Sequence, residues 1–452
     1  MRETQKWRRF FILKEKSFKR EEKNMSKLKN IWANVELRTR LLMTVLLLVI
    51  FRLGCSVPVP YVSPEYLESI FSTGNILSYM NVLSGSALSQ CAMFALGVGP
   101  YINASIIIQL LVYAIPKLKD ISQMENGNKE IEKYTRILTI IISIIMSLGY
   151  VHLLNISSAL TTENLLAKVI LVVCFVAGSQ ACMFIGNMID EVGIGNGVSL
   201  LIFAGIIAGW GSITNLITTV NIFAQFGYWW YYIIGGGIML VTLLSLVYTV
   251  YVDGSVKKVP IVYSANAGTA LPMNRNTHLP MKLIMTGVLP IIFATTILQI
   301  PTSIALFVGE KSPIYSALSA FNEYSWAYMI VYALLIFAFN YFYTSVQFNP
   351  TEVANNLRTS GATIPGIRPG ESTVAYLKKS VKKLTIAGSI ALSLIAIVPL
   401  IVGRYTGLSV PFAGSSLLIV TGVALECIDK INSYMTTRTS SSFLKRNKRR
   451  AR

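Results

Sequence analysis

The sequence predicts an all-α, polytopic membrane protein with ten transmembrane helices, and three observations carry that prediction. Of its 452 residues, 53% are hydrophobic and only 13% are charged, where an ordinary soluble domain carries about 25% charged residues. The mean hydropathy is +0.56, yet 40 Lys and Arg stand against 21 Asp and Glu, so the charge is concentrated. No basic residue lies between Arg52 and Lys117 or between Lys168 and Lys257. Each gap is far longer than the roughly 20 apolar residues that cross about 30 Å of hydrocarbon. These runs are continuous rather than alternating with period two, which excludes an outer-membrane barrel.

Spans are expected at 41–58, 88–115, 137–156, 165–189, 198–217, 229–252, 283–308, 326–348, 384–403 and 412–434. Residues 1–40 hold thirteen Lys and Arg and no apolar core, so a cleavable signal peptide is not expected and the segment should stay cytoplasmic. Within it, Met25 opens MSKLKN, and residues 1–24 read as either a mis-called start or a private extension. Ten spans then put 116–136, 190–197, 253–282, 349–383 and the tail 435–452 on the cytoplasmic side. The charges agree. Lys117, Lys119, Lys129, Lys133 and Arg136 fill the first of these loops, and the two long loops and the tail are also basic, while the outward loops carry only Lys168, Lys311 and Arg404. One loop dissents: 190–197 has Asp190 and Glu191 and no cation, although acidic residues weigh little in topology. A basic inner surface suits anionic lipid. Loops 253–282 and 349–383, about 30 residues each, exceed that need and read as docking sites for a polyanion such as ribosomal RNA or for an acidic protein face.

The apolar segments exclude several function classes. Pumps and transporters bury ionisable groups in their spans. Here Arg52 is the main candidate, and a snorkelling or interhelical cation is the favoured reading over a pore role; Asn103, Gln109 and Asn187 are the other polar groups. A pore without charged rings cannot select a small ion electrostatically, and no mid-membrane polar cluster supports a secondary transporter. A membrane enzyme would need a Ser/His, paired-Asp or metal constellation that the spans lack. Cys55, Cys91, Cys174, Cys182 and Cys427 show no CxxC spacing and read as small buried hydrophobes. With His152 and His278 far apart, no metal site, catalytic residue or cofactor is expected. The absence of GxxxxGK[ST] means that any driving energy comes from a partner.

The second segment is interrupted. Small, weakly apolar residues from Gly85 to Gly97 meet Gly99-Pro100 before a strongly apolar helix. Broken backbone at membrane depth is tolerated only where protein shields it or it lines a cavity. Either a re-entrant plug precedes the break or the helix is merely kinked. Aliphatic side chains recur beside such steps: Val98, Ile102 and Ile106; Val198 and Ile202 after Gly195-Asn196-Gly197; Val288 and Ile292 flanking Pro290; Ile419 after Gly414-Ser415-Ser416. A ring of them would form a constriction that dewets; taken singly, each is better explained by ordinary helix packing.

GVGPYINASIIIQLL at 97–111, GIGNGVSLLIFAGIIAG at 193–209, HLPMKLIMTGVLPIIFATTIL at 278–298, NPTEVANNLRTSGATIPGIRPGE at 349–371 and GSSLLIV at 414–420 resemble the SecY family, the central subunits of the bacterial protein-conducting channel. FRLG at 51–54 and IEKYTR at 131–136 add smaller matches. The resemblance runs in order from about residue 36 to about 445, and its longest stretch lies in a loop, where the chance likeness of apolar helices has no part. It implies two inverted, pseudo-symmetric halves, 41–217 and 218–434, around an hourglass pore. It further implies a constriction ring of Val98, Ile102, Val198, Ile202, Ile292 and Ile419, with a plug at about 84–95. The lateral gate would lie between the second and seventh segments, with Asn103, Gln109, Ile284 and Thr286. Lys257, Lys258, Arg358 and Arg368 would dock the ribosome and the SecA motor, Arg368 coupling the motor. The implied activity is not enzymatic. Unfolded secretory chains would cross the bacterial cytoplasmic membrane, and membrane-protein segments would leave sideways, with signal sequences as ligands and SecE and SecG as small partner subunits. The chain departs from the family pattern at Asn187, usually a carboxylate, at Val192, usually basic, and at Ile284, usually Asn.

Overall fold

The computed structural model describes residues 34–63, 87–124, 126–156, 159–162, 164–208, 230–263, 278–307, 325–406 and 414–450. Among them the helices are α1 (Val35–Gly54), α2 (Gly99–Ala114), α3 (Pro116–Gln123), α4 (Gly127–Ile156), α5 (Leu165–Val192), α6 (Gly197–Ala208), α7 (Trp230–Asp253), α8 (Leu289–Phe307), α9 (Trp326–Gln347), α10 (Pro350–Thr359), α11 (Glu371–Thr406) and α12 (Gly414–Arg450). Four helical stretches, Lys129–Asn155, Leu165–Val192, Trp326–Thr359 and Glu371–Val402, are long and apolar enough to cross a bilayer. The pair α2–α3, bent by 107°, is a broken span or a re-entrant loop, and Gly197–Ala208, Met239–Asp253 and Leu289–Leu298 are shorter apolar helices.

Several expected boundaries move, each for a local reason. The span expected at 88–115 is helical only from Gly99. Gly97, at φ +52°, turns the chain, and Pro100 then occupies the first helical turn, where its missing N–H costs nothing. The span expected at 283–308 begins only at Leu289, after Gly287 at φ +61°, so Ile284 and Thr286 precede the helix. At its other end α4 starts well before residue 137. The ion pairs Lys133–Glu130 and Arg136–Glu132, at helical spacing, extend the helix beyond its apolar stretch.

The expectation of an all-α chain is corrected in the two long loops. There β1 (Val256–Pro260) pairs antiparallel with β3 (His278–Lys282), from Val256 opposite Lys282 to Pro260 opposite His278. Likewise β2 (Val262–Tyr263) pairs with β4 (Ala362–Thr363). The valines of β1 and β2 fit a pleated, half-buried surface, and in the β1–β3 pair Val259 and Met281 face inward while Lys257 and Lys258 are exposed.

Four apolar clusters organise the interior. One joins α1, α5, α6, α8 and α12 with the turns before α2. A second lies among α8, α9 and α11, a third holds the same turns against α4 and α5, and a fourth lies in the two long loops. Outward, Leu42, Leu46, Val49 and Leu53 on α1 and Leu240, Leu243, Leu244 and Val247 on α7 are exposed. Apolar faces of this extent are foreign to a water-facing surface and natural to a lipid-facing one.

Candidate constriction, gate and docking surface

The six aliphatic residues expected at the constriction lie near the starts of four helices. Val98 caps α2, and Ile102 follows one turn later. The start of α6 is built by the loop before it: Gly195 adopts φ +106°, the Gly197 amide donates to Asp190 Oδ1 at 2.8 Å, and the Ser199 amide donates to Asn196 Oδ1 at 3.1 Å. These caps satisfy otherwise orphaned helical N–H groups and set Val198 and Ile202 one turn apart on a shared face. Ile292 lies in the first turn of α8 and Ile419 in α12. All six meet in one cluster: Val98, Ile202, Ile292 and Ile419 are buried in it, with Ile102 and Val198 packed against it. Ile106, the third aliphatic of its sequence group, goes instead to the cluster of α8, α9 and α11. No Asp, Glu, Lys, Arg or His is buried among the described residues.

Residues 87–98 form turns rather than a helix, so the kinked-helix reading fails. Residues 84–86 lie outside the described residues. The turns are pinned from several sides. The Met93 amide donates to Val57 O at 2.8 Å and the Val59 amide to Cys91 O at 2.9 Å. Tyr150 Oη donates to Leu88 O and lies 3.3 Å from Cys91 Sγ, while Cys91 itself has φ +48°, an uncommon conformation for a residue with a side chain. Phe94 stacks on Phe51 with centroids 6.1 Å apart. Ala87, Ala92 and Phe94 thereby share the cluster of the six aliphatic residues.

The expected gate residues divide. Asn103 donates to Met146 Sδ at 3.9 Å, turning toward α4. Gln109 donates through Nε2 to Ser105 Oγ at 3.1 Å and accepts at Oε1 from Tyr343 Oη at 3.1 Å. Ile284 is buried in the α8–α9–α11 cluster. Thr286 donates to Asn340 Oδ1 at 2.8 Å, and Asn340 Nδ2 donates to Ser389 Oγ at 2.8 Å and Thr385 O at 3.2 Å. This buried network ties α9, α11 and the approach to α8 together. Asn340 and Tyr343 were not among the residues singled out from sequence. A lone amide within YALLIFAFNYFY was the available signal for Asn340, because such a group in a lipid-embedded helix needs a partner; Tyr343, one aromatic among many there, carried none.

The basic docking candidates lie on one unit. Val259, Met281, Ala354, Ile364, Leu377 and Val381 pack together across both long loops, and Lys257, Lys258, Arg358 and Arg368 are exposed on it. Lys282, at the end of β3, pairs with Asp429 of α12 at 3.1 Å. Beside it, burial raises the Asp253 carboxyl above its ordinary range; Lys282 opposes this, and Asp429 and Glu426 reinforce it. The cation missing from loop 190–197 comes from α1: Arg40 donates to Glu191 O at 3.5 Å and Gly193 O at 3.4 Å and stacks over Tyr434 at 5.4 Å. No group of three His, Cys, Asp or Glu that could hold a metal occurs among the described residues.

Comparison with known proteins places these features in a family context. The sequence profile of SecY matches residues 92–428. The protein translocase subunit SecY of Synechocystis is 36% identical over 425 residues, covering 90% of this chain and 94% of that protein. Two solved structures share the fold. One is a SecY whose plug domain stabilises the closed translocation channel and maintains a membrane seal, with TM-score 0.61 and 18% identity over 88% of this chain and 92% of that one. The other is Sec61 in the canine ribosome–channel complex, with TM-score 0.60 and 16% identity over 88% and 92%.

Proposed function

The chain belongs to the SecY family, and from that premise we propose that it is the pore subunit of a protein translocase, conducting unfolded secretory chains across a membrane and releasing apolar segments sideways into it. The observation that carries the reading is the meeting of Val98, Ile102, Val198, Ile202, Ile292 and Ile419 in one cluster that also takes in the turns at 87–94. Branched aliphatic side chains at a narrow point expel water and hence ions, while their weak, non-directional contacts yield to a passing polymer of any sequence. Residues at about 84–95 act as the plug.

The remaining calls extend the same reading. Ten spans form two inverted halves, 41–217 and 218–434, around an hourglass pore in the bacterial cytoplasmic membrane, with both termini inside; the loop charges support this orientation. The lateral gate opens between α2 and α8, and each nascent segment partitions through it by its own transfer free energy. The folded unit of the two long loops, with Lys257, Lys258, Arg358 and Arg368 exposed, docks the ribosome or the SecA motor, which provides the driving energy. SecE, SecG and anionic lipid complete the assembly.

Cross-linking a stalled secretory chain to a photoreactive residue in place of Ile102 tests the reading. A strong adduct at 102 and none at Leu243, exposed on α7, is expected. Equal or absent labelling at the two positions rejects it.

A further inference from the structure

We propose that Tyr343 is the latch of the lateral gate, bonding Gln109 across the seam between α2 and α9 and so setting how apolar an arriving helix must be to enter. This rests on the channel reading above. The bond joins residues 234 positions apart, Tyr343 Oη donating to Gln109 Oε1 at 3.1 Å. Both ends are held in place. Gln109 Nε2 donates a hydrogen bond to Ser105 Oγ, which leaves Oε1 turned toward α9. The Tyr343 ring is buried and wedged by Phe293 of α8 at 4.7 Å and by Phe342 at 5.3 Å. One turn further along α2, Tyr113 meets Phe342 edge-on at 4.9 Å, so residues at i and i+4 of α2 engage neighbouring residues of α9.

The position of the bond gives it its role. Gln109 and Tyr343 lie in the last two turns of their helices, at the end that carries the basic loops, where a helix delivered from that side arrives first. Separating α2 from α9 leaves the hydroxyl of buried Tyr343 without the partner that exposed Gln109 offers it, a costly state. An entering helix offsets that cost only by burying enough apolar surface of its own. The family resemblance places closure between the second and seventh segments; here Ile284 is buried in the α8–α9–α11 cluster, and the polar contact that crosses the seam is on α9. The Thr286–Asn340–Ser389 network makes the approach to α8 and the helices α9 and α11 one body, so release at Tyr343 frees them together.

The test uses the complete translocase in vesicles and two precursors, one with an intact signal sequence and one with its apolar core shortened. Tyr343→Phe keeps the ring and removes the hydroxyl. It should raise the ratio of shortened-signal to intact precursor export about three- to tenfold, the scale of one lost hydrogen bond. Gln109→Leu should do the same, and the double variant should gain no more than either single one. An unchanged ratio of the two precursors in both single variants, or gains that multiply in the double, would overturn the latch. Failure of the wild-type chain to export the intact precursor would instead reject the channel reading beneath it.

Discussion

Gly178→Ala is the sharpest probe of the seal. Gly178 lies on α5 where the Met93 carbonyl passes, and a Cβ there would sit 1.9 Å from Met93 O and 2.8 Å from Met93 C. Contacts below 3.0 Å are not sustained, so one backbone must retreat by at least 3.0 − 1.9 = 1.1 Å. Neither partner has a side chain that can swing aside. The Met93 amide is bonded to Val57 O at 2.8 Å, so a retreat of that size strains the bond that anchors the turns to the segment after α1. Overpacking of this kind costs about 1–3 kcal/mol, which multiplies the displaced population of the 87–98 turns by roughly 5 to 150. Ion conductance across planar bilayers should rise accordingly, whereas Gly236→Ala, whose added Cβ meets nothing within 4 Å, should leave it at the wild-type level. Wild-type conductance together with an unshifted melting temperature in Gly178→Ala would refute the claim that these turns seal the channel.

Asn340→Ala strands the buried Thr286 hydroxyl and should cost about 1–3 kcal/mol, read as a lower melting temperature in detergent. Ile102, Ile202 and Ile292 changed together to Gly should leak ions once residues 84–95 are deleted; conductance equal to that of the deletion alone would remove these three from the ring. Arg368→Glu should depress motor-driven export while the subunit still accumulates in the membrane, and normal export would end its assignment to motor coupling. Asp253 has a carboxyl pKa raised by burial, so its stability contribution is present below the unfolded value of about 3.8 and is lost as pH rises through the higher folded value. Asp253→Asn should therefore flatten the fall in melting temperature between pH 4 and neutrality, and a slope identical to the wild type would contradict the shift.

Much of the helical layout was legible because it depends on nearby residues. An apolar run of some 20 residues declares its preference through its own transfer free energy, and Gly97 with Gly99-Pro100 declares a break through backbone sterics. Even the loss of helix before Leu289 had its sign in Gly287 and Pro290. The short strands escaped notice because VKKVP and HLPMK are individually too brief to announce a sheet, and each becomes a strand only beside the other.

The site divides in the same way. Sequence alone determined which segments are apolar, where the second one breaks, which ends are basic, and that branched aliphatic residues follow the helix starts. Tertiary structure decided that six of those residues share one cluster while Ile106 does not, that Asn103 turns to α4, that Arg40 supplies the cation loop 190–197 lacks, and that Gln109 finds Tyr343. Composition and period report the cost of leaving water, which each residue meets largely by itself. The choice of partner across 151 or 234 residues depends on how whole helices pack, and a guanidinium, a hydroxyl or an amide does not name in its local sequence the distant group that will satisfy it.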